Sequence, residues 1–351
     1  GQMDVVTLTV DDGLDTVASI TLTTPVLAGV ETLNLIANEN VTISALTSAT
    51  ALTNVAVTGE GDVSITSGAL ALNVNSVIDA SAVNADVTLN FSSATANGVS
   101  LKAGNGDNAL TGTDIAGKGN TIVSGDGDST ITGGQADDII TAGNGNNTID
   151  AKNGANTVKV GNGNNDITTG TGADTITAGN GINVIDAGAG NDIITVGTGY
   201  NLITGGAGAD TITFGTNAAG VKNGLVYTAA GETSNTAVVS GTTALTVANG
   251  YDIITGIGAG DTIDLTALTA GAFAGTVSTS IISAGVTGEI SLVKGNYDLA
   301  TGVFTASSTG TSSILQWDDN GTAVGGNIET IVLVGFNGTA TSTVDGLITL
   351  A

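Results

Sequence analysis

The chain of 351 residues contains no cysteine, no histidine and no arginine, and only one proline. Without cysteine, neither a disulfide framework nor a thiolate metal site can form. Without histidine, the zinc-protease helix motif and the His-based catalytic triad are excluded as well. The G-x-S-x-G motif of serine hydrolases is also missing. The sequence therefore predicts a chain that is not an enzyme.

Positive charge and aromatic side chains are scarce too. Six lysines stand against 32 acidic residues, which gives a formal net charge of -26, and aromatic residues make up 3% of the chain. Nucleic acids and anionic membranes attract clustered cations, so neither is an expected partner. No apolar run reaches the roughly 18 residues of a membrane helix, and direct membrane insertion is not expected. Cations are the expected partners, although solubility alone is an alternative explanation of the acidity.

What the sequence has in abundance is a nine-residue repeat. Ten uninterrupted nonads fill residues 124–213, and an irregular lead-in with the same signature precedes them at residues 103–123. Positions two and four are glycine in nine of the ten copies, and position eight is isoleucine in nine. The copies are SGDGDSTIT, GGQADDIIT, AGNGNNTID, AKNGANTVK, VGNGNNDIT, TGTGADTIT, AGNGINVID, AGAGNDIIT, VGTGYNLIT and GGAGADTIT. A fixed short period of this kind predicts a repeat architecture.

Each nonad predicts a six-residue turn followed by a three-residue strand whose middle side chain faces inward. Two nonads on opposite walls close one turn of eighteen residues, and successive turns stack about 4.8 Å apart. The predicted fold is all-β: a parallel β-solenoid, or β-roll, of nonapeptide repeats with a C-terminal β capping domain. The predicted domains are a solenoid with rungs of 20 to 25 residues over 1–100, the β-roll over 101–215 and the capping domain over 216–351.

The sixth position of the nonad alternates between acid and amide. Because consecutive nonads lie on opposite edges, one row should contain Asp138, Asn156, Asp174, Asp192 and Asp210, and the other Ser129, Asn147, Asn165, Asn183 and Asn201. Carboxylates about 5 Å apart repel by a few kcal/mol. Calcium, which accepts six to eight oxygens, removes that repulsion. Stacked amides need no ion, and Asn144, Asn162 and Asn180 at position three should reinforce their ladder. The alternative is that Asn and Asp are interchangeable turn formers.

The nonads resemble the GGxGxDxUx calcium-binding repeats of the RTX family, which bacterial type I secretion exports. The resemblance covers about 110 of the 351 residues. It implies a parallel β-roll with several calcium ions between its turns, and a chain that folds only outside the cell. Asn replaces Asp at position six in five copies, so the amide edge departs from the family pattern.

Candidate calcium ligands follow from the repeats and from the segment YDIITGIGAGDTIDLTAL at residues 251–268, which is similar to the stretch that commonly follows such rolls. They are Asp107, Asp126, Asp128, Asp137, Asp138, Asn156, Asp174, Asp192, Asp210, Asp252, Asp261 and Asp264. The end of the chain, residues 327–351, resembles the uncleaved C-terminal secretion signals of the same family.

Solenoid rungs, degenerate RTX nonads and a composition rich in Thr, Ala, Gly and Val together resemble the surface-layer (S-layer) proteins of Gram-negative bacteria. That resemblance implies an extracellular structural protein that self-assembles into a two-dimensional lattice on the cell surface when Ca²⁺ binds. A cell-surface polysaccharide is a further expected partner. The alternative is a secreted RTX adhesin, or the calcium-binding module of a larger exported protein, and lattice formation distinguishes the two hypotheses.

Overall fold

A computed structural model gives the fold of the chain. It describes residues 3–11, 19–23, 25, 27–46, 51–68, 70, 73, 75–228, 244–246, 251–265, 277–278, 290–298, 300, 303–318, 328–342 and 347–351. These residues form 32 β-strands and no helix. Within the same ranges there is accordingly no helix long and apolar enough to cross a membrane.

The chain divides into two compact units, Gly1–Thr171 (the N-terminal unit) and Gly172–Ala351 (the C-terminal unit). The strands of the N-terminal unit are β1 Val5–Val10, β2 Ser19–Leu22, β3 Thr32–Ala37, β4 Asn40–Leu46, β5 Asn54–Gly59, β6 Val63–Ser67, β7 Ser76–Ala80, β8 Val87–Asn90, β9 Val99–Ala103, β10 Asn108–Thr111, β11 Thr121–Val123, β12 Ser129–Thr132, β13 Ile139–Ala142, β14 Thr148–Lys152, β15 Thr157–Val160 and β16 Asn165–Thr169. Those of the C-terminal unit are β17 Thr175–Ala178, β18 Asn183–Asp186, β19 Ile193–Val196, β20 Asn201–Thr204, β21 Thr211–Phe214, β22 Gly224–Val226, β23 Ala244–Thr246, β24 Asp252–Thr255, β25 Thr262–Asp264, β26 Val277–Ser278, β27 Ile290–Asp298, β28 Val303–Ala306, β29 Ser312–Asp318, β30 Ile328–Val334, β31 Ala340–Ser342 and β32 Leu347–Leu350.

The N-terminal unit is a parallel coil with two walls. Its odd-numbered strands, β1 to β15, form one parallel sheet. Its even-numbered strands, β2 to β16, form the other. The step from one turn to the next shortens along the chain: Thr32 pairs with Asn54, 22 residues on, whereas Ile139 pairs with Thr157, 18 residues on. The shorter step confirms that two nonads close one turn.

The strands of the nonads are longer than the predicted three residues. Strand β13 has four, and both Ile140 and Ala142 face inward and are buried. Ala142 is position one of the following nonad, and the equivalent Val160 in β15 is buried as well. The prediction of one inward side chain per strand was wrong for this wall, because a small apolar residue at position one continues the strand and adds to the core.

Glycine at position four of the nonad is required by the stacking of turns. Gly199 has a φ of 127°, and a Cβ at this position would collide with the carbonyl group of Gly181, one turn earlier. Gly208 has a φ of 143° and would meet Gly190 in the same way. An L-residue side chain rarely adopts such a backbone and here has no space, so each turn stacks directly on the backbone of the turn before.

The C-terminal unit begins as a similar coil and continues as antiparallel sheet. Strands β17, β19, β21 and β24 are parallel neighbours on one wall, as are β18, β20, β22 and β25 on the other. Strand β24 also pairs in parallel with β30, from which antiparallel pairings lead to β29, β27 and β28. Strand β25 is followed by antiparallel β32 and β31. Buried Tyr251, Val293, Phe304, Ile314 and Val332 form a core cluster of this region. The predicted domain boundaries near residues 100 and 215 stay predictions; the division of the chain into two compact units falls after Thr171.

Candidate metal centre

The sixth-position side chains of the nonads in the C-terminal unit form two buried rows, which three side chains after the nonads continue. The aspartate row contains Asp174, Asp192, Asp210 and Asp252, and the amide row contains Asn183, Asn201 and Asn223 and ends at Asp261. Every one of these side chains is at most 5% exposed. Strands β17, β19, β21 and β24 position the first row, and β18, β20, β22 and β25 position the second, so each row follows one wall of the coil.

Backbone hydrogen bonds connect the aspartate row from turn to turn. The N–H of Asp174 donates to Oδ1 of Asp192 (2.8 Å), and the N–H of Asp192 donates to Oδ1 of Asp210 (2.9 Å). The N–H of Asp210 donates in turn to Oδ1 of Asp252 (2.9 Å). Each of these three acceptor carboxylates therefore uses one oxygen to accept the backbone of the preceding turn. The second oxygen of Asp192, Oδ2, is buried and accepts no hydrogen bond in the part of the chain that the structure describes.

Backbone hydrogen bonds also connect the amide row from turn to turn, and its side chains provide hydrogen-bond donors as well. The N–H of Asn201 donates to Oδ1 of Asn223 (3.2 Å), and Oδ1 of Asn201 accepts Nδ2 of Asn183 (2.7 Å). Nδ2 of Asn201 also lies 3.2 Å from the carbonyl oxygens of both Gly197 and Gly199. The amide therefore satisfies two carbonyl groups of its own loop, at positions two and four of the nonad.

An aspartate at the same position reverses the balance of hydrogen-bond donors and acceptors in its loop. Gly188 and Gly190 stand to Asp192 in the nonad as Gly197 and Gly199 stand to Asn201. A carboxylate has the shape of an amide but no donor, so its second oxygen brings a further acceptor to a loop that already presents carbonyl oxygens. Carboxylate and carbonyl oxygens are the ligands that calcium takes. The residues around Asp192 therefore fit calcium by their chemistry.

The electrostatics of the rows agree with this chemistry. Burial, the largest cause, and the negative charge of Asp174 together raise the pKa of Asp192 to about 6, while the backbone hydrogen bond that Asp174 donates acts in the opposite direction. Burial likewise raises the pKa of Asp138 in the N-terminal unit. The charged form of a buried carboxylate is unfavourable unless an opposite charge compensates it, and a bound cation supplies that charge.

The N-terminal unit contains a mixed row of Asn120, Asp138 and Asn156. Oδ1 of Asp138 accepts both the backbone N–H and Nδ2 of Asn120, and Oδ2 accepts the N–H of Gly134 (2.6 Å). Nδ2 of Asn156 donates to the carbonyl of Gly154 (3.0 Å). Protein donors thus reach both oxygens of Asp138, and Asn156 acts as a donor in the manner of the amide row.

Four predicted ligands lie outside the buried rows. Asp107, Asp126, Asp128 and Asp137 are exposed. In the nonads, Asp126 occupies loop position three, and Asp128 and Asp137 occupy position five. Oδ1 of Asp107 accepts the N–H of Asp128 (2.9 Å), and Oδ1 of Asp137 accepts the N–H of Ala155 (2.7 Å). These carboxylates support the stacking of loops and face solvent.

Two of them belong to an exposed acidic column that sequence analysis missed in part. The acidic column consists of Asp62, Asp86, Asp107 and Asp128. The N–H of each of the last three donates to Oδ1 of the column residue before it, at 2.9 to 3.2 Å. Asp62 and Asp86 were not predicted. The signal was present, since GDVSI and ADVTL in the wide rungs match GDNAL and GDSTI, in which the same Asp precedes a strand.

The three predicted ligands after the nonads have different surroundings. Oδ2 of Asp252 accepts the hydroxyl of Tyr227 (2.7 Å), and Oδ2 of Asp261 accepts the N–H of Gly258 (2.8 Å). Asp264 is the last residue of β25 and is half-buried. Within the described residues no three acidic side chains converge to hold a metal ion.

Comparison with known protein families gives the same assignment to the nonads. The RTX calcium-binding nonapeptide repeat (4 copies) matches residues 116–149, 150–185 and 186–218. No curated protein matches the chain. Such repeats bind calcium, form a structural fold that is typically non-enzymatic and are typical of secreted proteins. Residues 116–218 of this chain are therefore RTX calcium-binding nonapeptide repeats.

Proposed function

We propose that this protein is an extracellular structural protein, exported by type I secretion, whose aspartate row binds calcium and which then assembles into a two-dimensional surface layer. The observation that carries the calcium step is the difference between Asp192 and Asn201. Both side chains are buried at the same position of the nonad, but Asn201 donates to its loop carbonyls whereas Oδ2 of Asp192 accepts no hydrogen bond among the described residues.

The chain supplies an all-oxygen ligand set for the ion. Carboxylate oxygens come from two successive members of the row, such as Asp192 and Asp210, and carbonyl oxygens come from the loop that contains Gly188 and Gly190. Turns stack about 4.8 Å apart, so each carboxylate repels the next one until a cation lies between them. A bound calcium ion neutralises this charge. The residues of the row then hold successive loops together through the same backbone hydrogen bonds that already connect them.

Assembly of subunits is proposed from the charge of the whole molecule. A chain with a net charge of -26 repels its own copies, and the acidic column exposes four stacked carboxylates in the N-terminal unit. Divalent cations reduce such repulsion and allow acidic surfaces to approach. Sites with dissociation constants of about 10⁻⁴ to 10⁻³ M are filled outside the cell but not inside it. This difference would confine assembly to the cell surface, where a polysaccharide is the proposed anchor.

A secreted adhesin, or a calcium-binding module of a larger exported protein, would use the same aspartate row. The family match supports both proposals equally, because it covers the nonads alone. What separates them is lateral assembly, which a lattice protein requires and a module does not.

Electron microscopy of the purified protein, with circular dichroism on the same samples, tests the proposal. With millimolar Ca²⁺ we expect ordered sheets, and with EGTA we expect neither sheets nor full β signal. Mg²⁺ is the control ion, since it requires near-octahedral geometry and dehydrates reluctantly, and it should not replace Ca²⁺. Folded monomers in Ca²⁺ would contradict the proposed lattice and favour the proposal of an adhesin or module. An identical β signal in Ca²⁺ and EGTA would overturn the calcium step itself.

A further inference from the structure

The aspartate row ends at a residue whose carboxylate is held differently from the others. Asp252 opens β24 and is 1% exposed. Its Oδ1 accepts the N–H of Asp210 at 2.9 Å, as the row requires, but its Oδ2 accepts the hydroxyl of Tyr227 at 2.7 Å. A phenol therefore donates to the carboxylate at the last turn.

Tyr227 reaches Asp252 from the opposite wall of the coil. The residue directly follows β22, and its backbone N–H donates to the carbonyl of Asp264 at the end of β25 (3.0 Å). Its side chain is 2% exposed, so the ring crosses the buried interior before its hydroxyl meets the row. This contact joins the two walls of the C-terminal unit at the end of the aspartate row.

The same ring packs against the only tryptophan of the chain. The centroids of Tyr227 and Trp317 are 5.3 Å apart and their planes are inclined by 57°. Trp317 lies in β29, is 1% exposed, and its Nε1 makes no hydrogen bond within the described residues. Its position therefore depends on packing. Strand β29 pairs with β30, and β30 pairs with β24 at Asp252. The Tyr227 ring and these backbone pairings therefore both connect the aspartate row with the sheet of strands β27 to β30, the C-terminal sheet.

We infer that Tyr227 terminates the aspartate row and couples its calcium occupancy to the packing of Trp317 in the C-terminal sheet. The inference rests on the proposed binding of calcium by the row. An ion at Asp192 and Asp210 fixes the loop whose N–H holds Asp252, and Asp252 in turn fixes the hydroxyl of Tyr227 and the ring against Trp317. Coupling between two sites is reciprocal, so the Tyr227 hydroxyl must also strengthen calcium binding.

Calorimetry and tryptophan emission, measured on the same full-length samples, test this inference. In the wild-type protein the emission of Trp317 should shift on calcium addition, with a midpoint equal to that of calcium binding. In Tyr227→Phe the ring remains but the donor is lost, so we expect the same number of ions, an affinity at least about fivefold weaker, and an emission shift less than about half as large. Tyr200→Phe is the matched control, since Tyr200 is 44% exposed, and it should behave as the wild type.

Two outcomes have different meanings. If calorimetry detects no calcium binding to the wild-type protein, the proposed function fails and the inference with it. If calcium binds but Tyr227→Phe retains the wild-type affinity and emission shift, the inference alone is overturned. Should Tyr227→Phe not fold, Asp252→Asn replaces it: this amide keeps the Oδ1 acceptor for Asp210 and removes the charge, so an unchanged emission shift would equally contradict the coupling.

Discussion

The aspartate row and the amide row of the C-terminal unit differ by little more than one atom per turn. In both, the side chain is buried at position six and its Oδ1 accepts a hydrogen bond from the turn before. At Asn201 the second atom is a donor, and at Asp192 it is an acceptor. Burial is the same in both, so the two rows differ in their balance of hydrogen-bond donors and acceptors, and on the proposed function this balance decides which row binds an ion.

Typical free energies of hydrogen bonds and of buried charges support this distinction between the rows. A hydrogen bond between neutral groups contributes about 0.5 to 1.5 kcal/mol net, whereas a buried charge without compensation costs several kcal/mol. A row of amides is therefore modestly stabilising without a partner. A row of carboxylates is destabilising until protons or cations bind to it.

The largest expected effect comes from placing a carboxylate in the amide row. Asn201→Asp removes the donors to Gly197 and Gly199 and buries a new charge, so we expect the free energy of unfolding to fall by about 3 to 5 kcal/mol. Urea unfolding measures this at a calcium concentration just above the wild-type folding midpoint. Asn180→Asp is the matched control, because Asn180 is exposed and an Asp there keeps the Oδ1 acceptor for the N–H of Thr198. Equal stabilities of the two variants would contradict the difference between the rows.

A smaller effect on the stability of the fold is expected from a change of pH, and its sign should differ between the presence and the absence of calcium. The pKa of Asp192 is raised from its ordinary 3.8 to about 6, so the folded state holds this proton more tightly than the unfolded state does. In EGTA this contribution to stability is complete below about pH 4 and is lost as pH rises through about 6. The β signal of the wild-type protein in EGTA, measured by circular dichroism, should therefore be larger near pH 5 than near pH 7, because protons compensate the buried carboxylates that lack calcium.

In saturating calcium the Tm should instead be higher near pH 7 than near pH 5, because protons compete with the ion for the same oxygens. Asp192→Asn lacks the titrating group and should reduce the pH dependence in EGTA. A β signal in EGTA that rises from pH 5 to pH 7 would show that the buried carboxylates are not the dominant groups.

The smallest effect is expected at an exposed carboxylate. Asp137→Asn keeps the acceptor for the N–H of Ala155 and changes a side chain that faces solvent, so stability should change by less than about 0.5 kcal/mol. Calorimetry should find the same number of calcium ions as in the wild-type protein. The loss of one ion would instead show that Asp137 is a ligand, as its sequence position predicts.

The nine-residue period was sufficient to predict the coil and the separation of sixth-position residues between two walls. Inward-facing residues at position eight, such as Ile194 and Ile203, are fully buried on their respective walls. The length of the strand was less predictable. Position one belongs to the turn in the sequence pattern, but Val196 continues β19 and is buried, because the wall has room for a second small apolar side chain.

The site was only partly predictable, because the donors that satisfy a carboxylate depend on contacts that the repeat pattern does not specify. Asp138 occupies position six of its nonad, as Asp192 does, and Asp252 was predicted as a ligand from the segment that follows the nonads. The structure supplies Asp138 with the N–H of Gly134, and Asp252 with a hydroxyl from Tyr227, 25 residues away. Neither contact follows from the spacing of the repeat. Asn120 and Asn223 were missed because irregular spacing places them outside the uninterrupted nonads.

The most direct measurement compares two triple variants and the wild-type protein in EGTA by far-ultraviolet circular dichroism and thermal unfolding. Asp174→Asn, Asp192→Asn and Asp210→Asn together convert the aspartate row into amides. Asp107→Asn, Asp126→Asn and Asp128→Asn together make the same change of net charge at exposed positions. We expect the first variant to keep its β signal and to melt cooperatively in EGTA, while the second loses structure as the wild type does. Equal behaviour of the two variants, or a wild-type protein that keeps its full β signal and Tm in EGTA, would contradict the dependence of the aspartate row on calcium.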